Sequence, residues 1–343
     1  MKNLPEEINR PTQKKDILLT LVGVISFVLI VNFLCGRYLK LSSRELGYRL
    51  IMDKWEMLKH LEKPVDWLIL GDSSGNQALV PDLLNRALGV SSLNLCTVGD
   101  LTLMNDFWML RYYMERFGAP KGVLLVHSLD LWQRRLDEGA TAIIPLPWGF
   151  WSRGESQIHW NEAELGTIFL QKYVPLFSSH KRLTQKMLSP RSSLERPILI
   201  EKDGFMRERM ADPAAAVQDK ESMLKQLGEG GGDISRINET TLDTLNRLAE
   251  ENGFNIFLAH GPLIDELWQE ASFRLYFKKL KARLEQMAES KHGLHLILEK
   301  PIFFPKEMMQ SADHVIEDAA KIYTRRVVRE LKNYLSRRGN QGT

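Results

Sequence analysis

The chain has 343 residues, which is enough for one large domain or two small ones. Its 46 basic and 43 acidic residues give a net charge of only +3, so the composition does not indicate a nucleic-acid partner. Two cysteines, Cys35 and Cys96, are too few for a disulfide framework or a cysteine-rich metal site, and no motif indicates a metal or other cofactor.

The first predicted element is an uncharged apolar stretch over residues 17–36. A helix of about 20 residues, at about 1.5 Å each, spans the hydrocarbon core of a bilayer. A buried core helix of this length would show a polar face. A cleaved signal peptide would have a shorter apolar run and a small-residue cleavage site. We therefore predict an uncleaved transmembrane anchor that follows a short tail, residues 1–16, and has the lipid bilayer as its partner.

Charge near the anchor does not orient it, because basic residues flank both ends. Lys2, Arg10, Lys14 and Lys15 precede the anchor, and Arg37, Lys40, Arg44 and Arg49 follow it. Residues 37–64 are charged and helical in pattern, which predicts a helical linker between the anchor and the main domain.

Beyond the linker, short apolar runs alternate with helical patterns. The runs that predict strands cover residues 66–70, 92–96, 122–127, 254–259 and 294–298. The helical patterns cover residues 80–88, 103–117, 234–252, 272–290 and 313–335. This alternation predicts an α/β fold of three layers, with a mainly parallel sheet covered by helices on both faces. The runs lack a two-residue period, as is typical of strands buried on both sides.

The alternation is interrupted over residues 138–233, a stretch too long for a simple connection. We predict an insertion there, joined back to the core by a flexible glycine-rich joint at 228–233. The predicted α/β domain therefore covers residues 65–335 with this insertion, and residues 336–343 are predicted to be a disordered tail.

Residues that can carry chemistry lie at the two ends of this domain. Gly71, Asp72 and Ser73 come between the first strand and a helix, at the edge of the sheet where ligands bind in open α/β folds. A serine there is suited to nucleophilic attack, although this stretch taken alone favours a simple helix cap. Asp313 and His314 follow the last strand, at the start of the last predicted helix. They should therefore reach the same edge, where His314 can meet Ser73.

The motif GDSS at 71–74 is followed by NLCTVGD at 94–100, VLLVHSLDLW at 123–132 and the late histidine. This pattern resembles the SGNH/GDSL hydrolase superfamily. More closely, the chain is similar to its membrane-anchored branch, which is associated with alginate O-acetylation and teichoic-acid D-alanylation. The resemblance covers residues 65–335 apart from the insertion and implies a flavodoxin-like sheet.

The resemblance also implies roles for individual residues. Ser73 is expected to be the nucleophile and His314 the base. The backbone N–H groups of Ser73 and Gly99 are expected to form the oxyanion hole. Asp72 and Ser74, in the same motif, are expected beside the bound substrate, with Asp72 bonding within the turn.

The chain departs from the family pattern at two positions. Ser311 stands three residues before His314, where the family has an aspartate. Asp313 is adjacent to the histidine instead, and the side chains of neighbouring residues are expected to point in different directions. Leu129 stands at the place of an oxyanion-binding asparagine. Losing the orienting acid costs about 10⁴ in turnover, and losing one oxyanion donor about 10²–10³.

An active site would then need rearranged partners. Ser311, Asp313, Asp130 and Asp265 are the candidate groups that could orient His314. His127 and His260 end the third and fourth predicted strands and are candidate binding residues or alternative bases, although each is more often structural.

We therefore predict a serine esterase or O-acyltransferase that acts on a cell-envelope polysaccharide. Its expected partners are the polysaccharide, an acyl donor and a membrane-bound O-acyltransferase. The N-terminus is expected in the cytoplasm and the main domain outside the cell membrane. Two alternatives stay open: a catalytically silent module that binds polymer or an acyltransferase partner, and a hydrolase that faces the cytoplasm.

Overall fold

The computed structural model of the protein describes residues 10–41, 46–152, 158–178, 199–298 and 300–339. The chain divides into two compact units. One unit contains residues 1–45 and 160–195, and the other contains residues 46–159 and 196–343.

A parallel five-stranded sheet forms the centre of the larger unit. Its strands are β1 Trp67–Gly71, β2 Ser92–Asn94, β3 Gly122–His127, β4 Asn255–His260 and β6 Leu294–Leu296, in the order β2-β1-β3-β4-β6. A separate parallel pair joins β5 Leu263–Ile264 to β7 Phe303–Phe304. Nearly every residue of the five central strands is buried, which explains why their sequences show no alternation.

Helices flank this sheet. They are α2 Leu46–Lys59, α3 Ser73–Ala78, α4 Pro81–Leu88, α5 Thr102–Phe117, α6 Glu138–Ile143, α9 Pro213–Gly230, α10 Arg236–Asn252, α11 Ala271–Glu289 and α12 Glu317–Gly339. Helix α12 packs against α3 and α4, whereas α10 packs against α5. Because strand–helix–strand crossovers are right-handed, these two groups cover opposite faces of the sheet. The expected α/β class, with a parallel sheet and flanking helices, is confirmed.

Helix α2 belongs to this unit, although residues 37–64 are expected from the sequence to be a linker. Ile51, Trp55 and Leu58 are fully buried, and Trp55 Nε1 donates to Asn105 Oδ1 at 3.0 Å. The charge of the segment is misleading because Lys54 is also buried, where its ammonium donates to backbone carbonyls of the sheet and of the insertion. Burial lowers the pKa of Lys54 to about 7.

The smaller unit contains α1 Arg10–Leu41, α7 Glu162–Tyr173 and α8 Pro175–Ser178. Within α1, residues 15–37 have a mean hydropathy of 2.8 and are long and apolar enough to cross a membrane. The expected anchor at 17–36 lies within this helix. Helix α7 begins with a capping box, in which Asn161 and Glu164 satisfy each other's backbone N–H groups.

The expected insertion at 138–233 is divided between the two units. Residues 160–195 belong with α1, and the flanking residues 138–159 and 196–233 belong to the α/β unit. The glycine-rich stretch at its end, expected to be a flexible joint, includes the C-terminal turn of α9. Gly231 then takes a left-handed conformation, with φ of 61°, which commonly ends a helix.

The C-terminal helix differs from expectation at both ends. It begins at Glu317 and not at Asp313, because the preceding chain forms a tight loop closed by an antiparallel bridge between Met309 and Val315. It extends to Gly339, so the first half of the expected disordered tail, residues 336–339, is helical, and residues 340–343 lie outside the described part of the chain.

Candidate active site

The turn after β1 is held by a fully bonded carboxylate. Asp72 Oδ1 accepts from Ser74 N at 2.9 Å and Ser74 Oγ at 2.6 Å, and Oδ2 accepts from Ser128 N and Oγ, both at 2.8 Å. Burial would raise the pKa of Asp72, but the neighbouring His127 and these bonds hold it well below its usual range. Both residues are buried and hold the turn in place. Asp72 also lines the smaller of the two cavities described below, whereas Ser74 lines neither of them.

Close packing of two strand ends brings this turn into place. Gly71 has φ of 149°, and a side chain there would overlap the carbonyl of Val126 at the end of β3. The absence of a side chain lets the ends of β1 and β3 approach each other.

Ser73 differs from its neighbours because it is partly exposed. It is the first residue of α3, and its Oγ makes no hydrogen bond within the described residues. Its backbone N–H and that of Gly99, which lies in the turn after β2, likewise donate to no described group. One hydroxyl and two N–H groups are therefore available to a ligand.

His314 lies in the tight loop that precedes α12, and its Nδ1 has two oxygen partners. Asp313 Oδ1 and Ser311 Oγ each lie 2.6 Å from this nitrogen, and Ser311 Oγ also donates to Asp313 Oδ1 at 3.0 Å. The side chains of the neighbours Asp313 and His314 meet, contrary to the expectation from sequence. Helical neighbours diverge, but Gln310 N donates to His314 O at 2.8 Å and the loop between them is not helical.

These contacts set both the charge and the orientation of the ring. Burial would lower the pKa of His314, but the charge and hydrogen bond of Asp313 raise it to about 9. Because Nδ1 faces Asp313 and Ser311, Nε2 is the nitrogen left for a ligand.

Ser73 and His314 line the same two cavities. The larger has a volume of about 750 Å³, and the smaller of about 180 Å³. Residues lining the larger cavity include Gln77, Val98, Met206, Gln218 and Gln310. The smaller cavity is more polar and includes Gly99, Ser128, Asp130, Arg134 and Gln226. The cavities meet at Ser73, His314, Asp219 and Ser222, so the candidate nucleophile and base lie at their junction.

Helix α9 of the insertion forms one wall of both cavities. Asp219 and Ser222 lie one turn apart on the same face. Asp219 Oδ2 also accepts from Ala312 N at 3.1 Å, which fixes the His314 loop against the helix. The insertion therefore contributes directly to the candidate site.

Gly99 lies beside a guanidinium group. A Cβ atom at this position would approach Arg134 Nη1 to 3.0 Å. Arg134 also pairs with Asp130 and, at 2.9 Å, with Asp100. Thr102, just after this turn, has φ of 53°, a strained conformation that β-branched residues rarely adopt and that persists only where the surrounding structure holds it.

His127 forms a second histidine–carboxylate cluster beneath the Ser73 turn. Its Nε2 lies 2.7 Å from Asp106 Oδ2, and its Nδ1 lies 3.7 Å from Asp72 Oδ2. Burial would lower the pKa of His127, but the two carboxylates raise it to about 9. Its side chain is only 1% exposed, so it cannot act on a ligand in either cavity.

The remaining candidate residues are not brought to the cavity junction as orienting groups. Asp130 lines the smaller cavity but is engaged by Arg134. Asp265 is exposed and lines neither cavity. His260 is buried against Phe277, and burial lowers its pKa to about 4. Leu129 is buried, with its carbonyl accepting from Tyr276 Oη, and provides no polar side chain.

Sequence reasoning missed the cavity residues Arg134, Asp219 and Ser222. Arg134 follows the third strand closely, and that position could have been considered. Helix α9 shows no sequence signal of its own, because nothing local indicates which helix of an insertion covers a distant turn. Among the described residues, no group of three or more histidine, cysteine, aspartate or glutamate side chains could hold a metal ion.

Comparison of the chain with protein-family models, with curated proteins and with solved structures gave no match.

Proposed function

We propose that the protein is a membrane-anchored, SGNH-like serine esterase or O-acyltransferase that acts on a cell-envelope polysaccharide. The observation that carries this proposal is the junction of the two cavities. There, a serine hydroxyl without a hydrogen-bond partner among the described residues and a histidine whose Nδ1 contacts a carboxylate line the same space. This is the combination that a serine nucleophile requires. The order of the central strands, β2-β1-β3-β4-β6, is also that of flavodoxin-like sheets, because β6 is the fifth strand of this sheet along the chain.

In the proposed reaction, Ser73 Oγ attacks the carbonyl carbon of an acyl ester while His314 Nε2 takes the hydroxyl proton. The Ser73 and Gly99 N–H groups stabilise the oxyanion that forms. When the tetrahedral intermediate collapses, the bond to the leaving alcohol breaks and His314 returns the proton to that alcohol. Water or a sugar hydroxyl then attacks the acyl-serine while His314 takes its proton. The bond between the acyl carbon and Ser73 Oγ breaks and His314 returns the proton to Oγ, which completes hydrolysis or transfer.

The two cavities suit different parts of this reaction. The smaller contains the free N–H of Gly99, so we assign the acyl carbonyl to it. The larger, at about 750 Å³, falls in the size range of pockets for drug-sized ligands and is lined by several amides. Amide side chains both donate and accept hydrogen bonds, as recognition of sugar hydroxyls requires. We assign the saccharide to the larger cavity.

Arg134 offers compensation for the missing oxyanion asparagine. Its guanidinium lies beside Gly99 in the smaller cavity, where its positive charge would stabilise a developing oxyanion. Its pairing with Asp130 and Asp100 fixes its position there.

The topology proposed with this function places the N-terminal tail in the cytoplasm and the α/β unit outside the cell membrane, because envelope polysaccharides lie outside it. A membrane-bound O-acyltransferase is the proposed supplier of acyl groups. A reporter active only in the cytoplasm, fused after Thr343, should be silent. A strong signal would exclude envelope substrates.

Turnover of p-nitrophenyl acetate by the full chain, with and without an oligosaccharide acceptor, tests the proposed chemistry. Wild-type protein should release p-nitrophenol and acetylate the sugar, and Ser73→Ala should do neither. Ser272→Ala, at an exposed serine of α11, is the matched control and should behave as wild type. Equal rates for wild type and Ser73→Ala would refute the proposal.

A further inference from the structure

A polar residue of the anchor helix binds the backbone of the insertion. Asn32 lies within the apolar span of α1, and its side-chain amide is bonded on both sides. Nδ2 donates to Tyr173 O and Oδ1 accepts from Leu176 N, each at 3.2 Å. These are the end of α7 and the start of α8, where helices leave backbone groups without partners.

The approach of these segments is close. Pro175, between the two bonded residues, lies so near α1 that a Cβ atom at Gly36 would be 3.2 Å from its Cγ. Glycine at this position lets the two backbones pack together, as small residues do between helices in membranes.

The contact lies near one boundary of the span. Asn32 is five residues before Arg37, the charged residue that ends the span, so it lies about 7.5 Å along the helix axis from that boundary. Interfacial helices bury their apolar faces by about 5–10 Å. Helices α7 and α8 therefore meet the anchor at the depth of a bilayer interface.

The same short segment exposes a run of large apolar side chains. They are Phe169, Leu170, Tyr173, Leu176 and Phe177, each 38–50% exposed. Five exposed large apolar residues within nine positions are a local concentration, in contrast to the scattered exposed residues normal for water-facing helices.

We infer that α7 and α8 lie in the bilayer interface, with the side chains of residues 169–177 in contact with lipid and Asn32 capping the break between the helices. Backbone groups within hydrocarbon must be satisfied by protein, and Asn32 satisfies one on each side of the break. The inference depends on the anchor being embedded in a membrane and is independent of the chemistry proposed at Ser73.

Spin labels on the full chain in nanodiscs test this placement. Single cysteines replace Phe169 or Leu176 in a Cys35→Ser background, while Cys96 is fully buried and stays. Collision rates with dioxygen, which concentrates in lipid, are compared with those of a water-soluble nickel chelate. Ile25→Cys in α1 serves as the lipid reference, and Leu275→Cys, an exposed leucine of α11, as the water reference.

Labels at 169 and 176 should favour dioxygen, as the label at 25 does. Preference for the nickel chelate, as at 275, would overturn the inference, and so would protection from both reagents, which indicates a protein partner. Asn32→Leu, which stays apolar but removes both bonds, should raise nickel accessibility at 176 at least severalfold. Ser26→Leu, the matched change within the same helix, should not. If Asn32→Leu behaves like Ser26→Leu, the capping role of Asn32 is refuted.

Discussion

Two histidines with carboxylate partners lie close to the GDSS turn, and they differ mainly in what surrounds them. His127 contacts Asp106 and Asp72, and His314 contacts Asp313. Carboxylates raise the pKa of both rings to about 9. However, the side chain of His127 is 1% exposed and that of His314 is 21% exposed and lines both cavities. Access to a ligand, and not the pKa, therefore distinguishes the candidate base from the structural histidine.

The largest effect is expected from Asp313→Asn, which removes the carboxylate partner of His314, the candidate base. Loss of the carboxylate removes the charge that stabilises the imidazolium, so turnover of a short-chain ester should fall by about 10⁴. The residual rate should also reach its plateau at lower pH. We expect the wild-type rate to rise as His314 loses its proton near pH 9, and we expect this pKa to be lower without Asp313. A pH–rate profile of both proteins measures both effects.

Ser311→Asp sharpens this test, because it restores the acid at the position expected from the family. Asp313 already contacts Nδ1, and a second carboxylate beside it would be repelled. We therefore expect no gain in turnover. A gain of tenfold or more would show that Asp313 is not the effective partner.

Substitution of His127, the buried histidine, should lower the free energy of unfolding. His127→Gln leaves two buried carboxylates without their cation, and removing one partner of a buried ion pair costs about 3–5 kcal/mol. Because the folded-state pKa of His127 is raised, its stabilising contribution is complete below its usual pKa of 6.5 and is lost as pH rises through about 9. Urea unfolding in this pH range should therefore show a weaker pH dependence in the variant than in wild type.

His260→Gln is the matched control, since His260 is equally buried but has no carboxylate partner among the described residues. Its folded-state pKa is lowered to about 4, so its pH dependence lies between about 4 and 6.5, where stability rises with pH. If His260→Gln changed the pH dependence of stability between pH 6.5 and 9 relative to wild type, that dependence could not be assigned to His127.

A smaller loss is expected from Arg134→Gln, which keeps a side chain of moderate length but removes the charge beside Gly99. Turnover should fall by about 10²–10³, the usual effect of one oxyanion-stabilising group. KM should change little, because the charge acts on the transition state. A rise in KM alone would instead indicate that Arg134 binds substrate.

The smallest effect is expected from Asp265→Asn. This carboxylate is exposed and lines neither cavity, so turnover should stay within about twofold of wild type, as for surface substitutions away from a site. A large loss would identify Asp265 as an orienting group that reaches the site from outside these cavities.

The sequence predicted the elements whose signals are local. The strands at 122–127 and 254–259 agree with β3 and β4 to within one residue, because buried parallel strands read as continuous apolar runs. Ser73, Gly99 and His314 could be placed at one edge of the sheet for the same reason. The contact between Asp313 and His314 could not be predicted from the sequence, since it depends on a non-helical loop whose closing bridge pairs Met309 with Val315.

The contacts of the insertion also could not be predicted from local sequence patterns. Its helix α9 provides Asp219 to the cavities, and α7 and α8 contact α1 through Asn32. Both contacts join residues more than ninety positions apart, and no periodicity in the segment distinguishes one destination from the other. Tertiary packing decides such contacts.

Covalent labelling tests most directly whether Ser73 is a nucleophile activated by His314. The full-length protein is treated with a fluorophosphonate probe, and the modified peptide is identified by mass spectrometry. We predict one adduct, on Ser73, which is absent in Ser73→Ala, strongly reduced in His314→Ala and unchanged in the control Ser272→Ala. No adduct on folded wild-type protein, or an adduct that persists in Ser73→Ala, would contradict it.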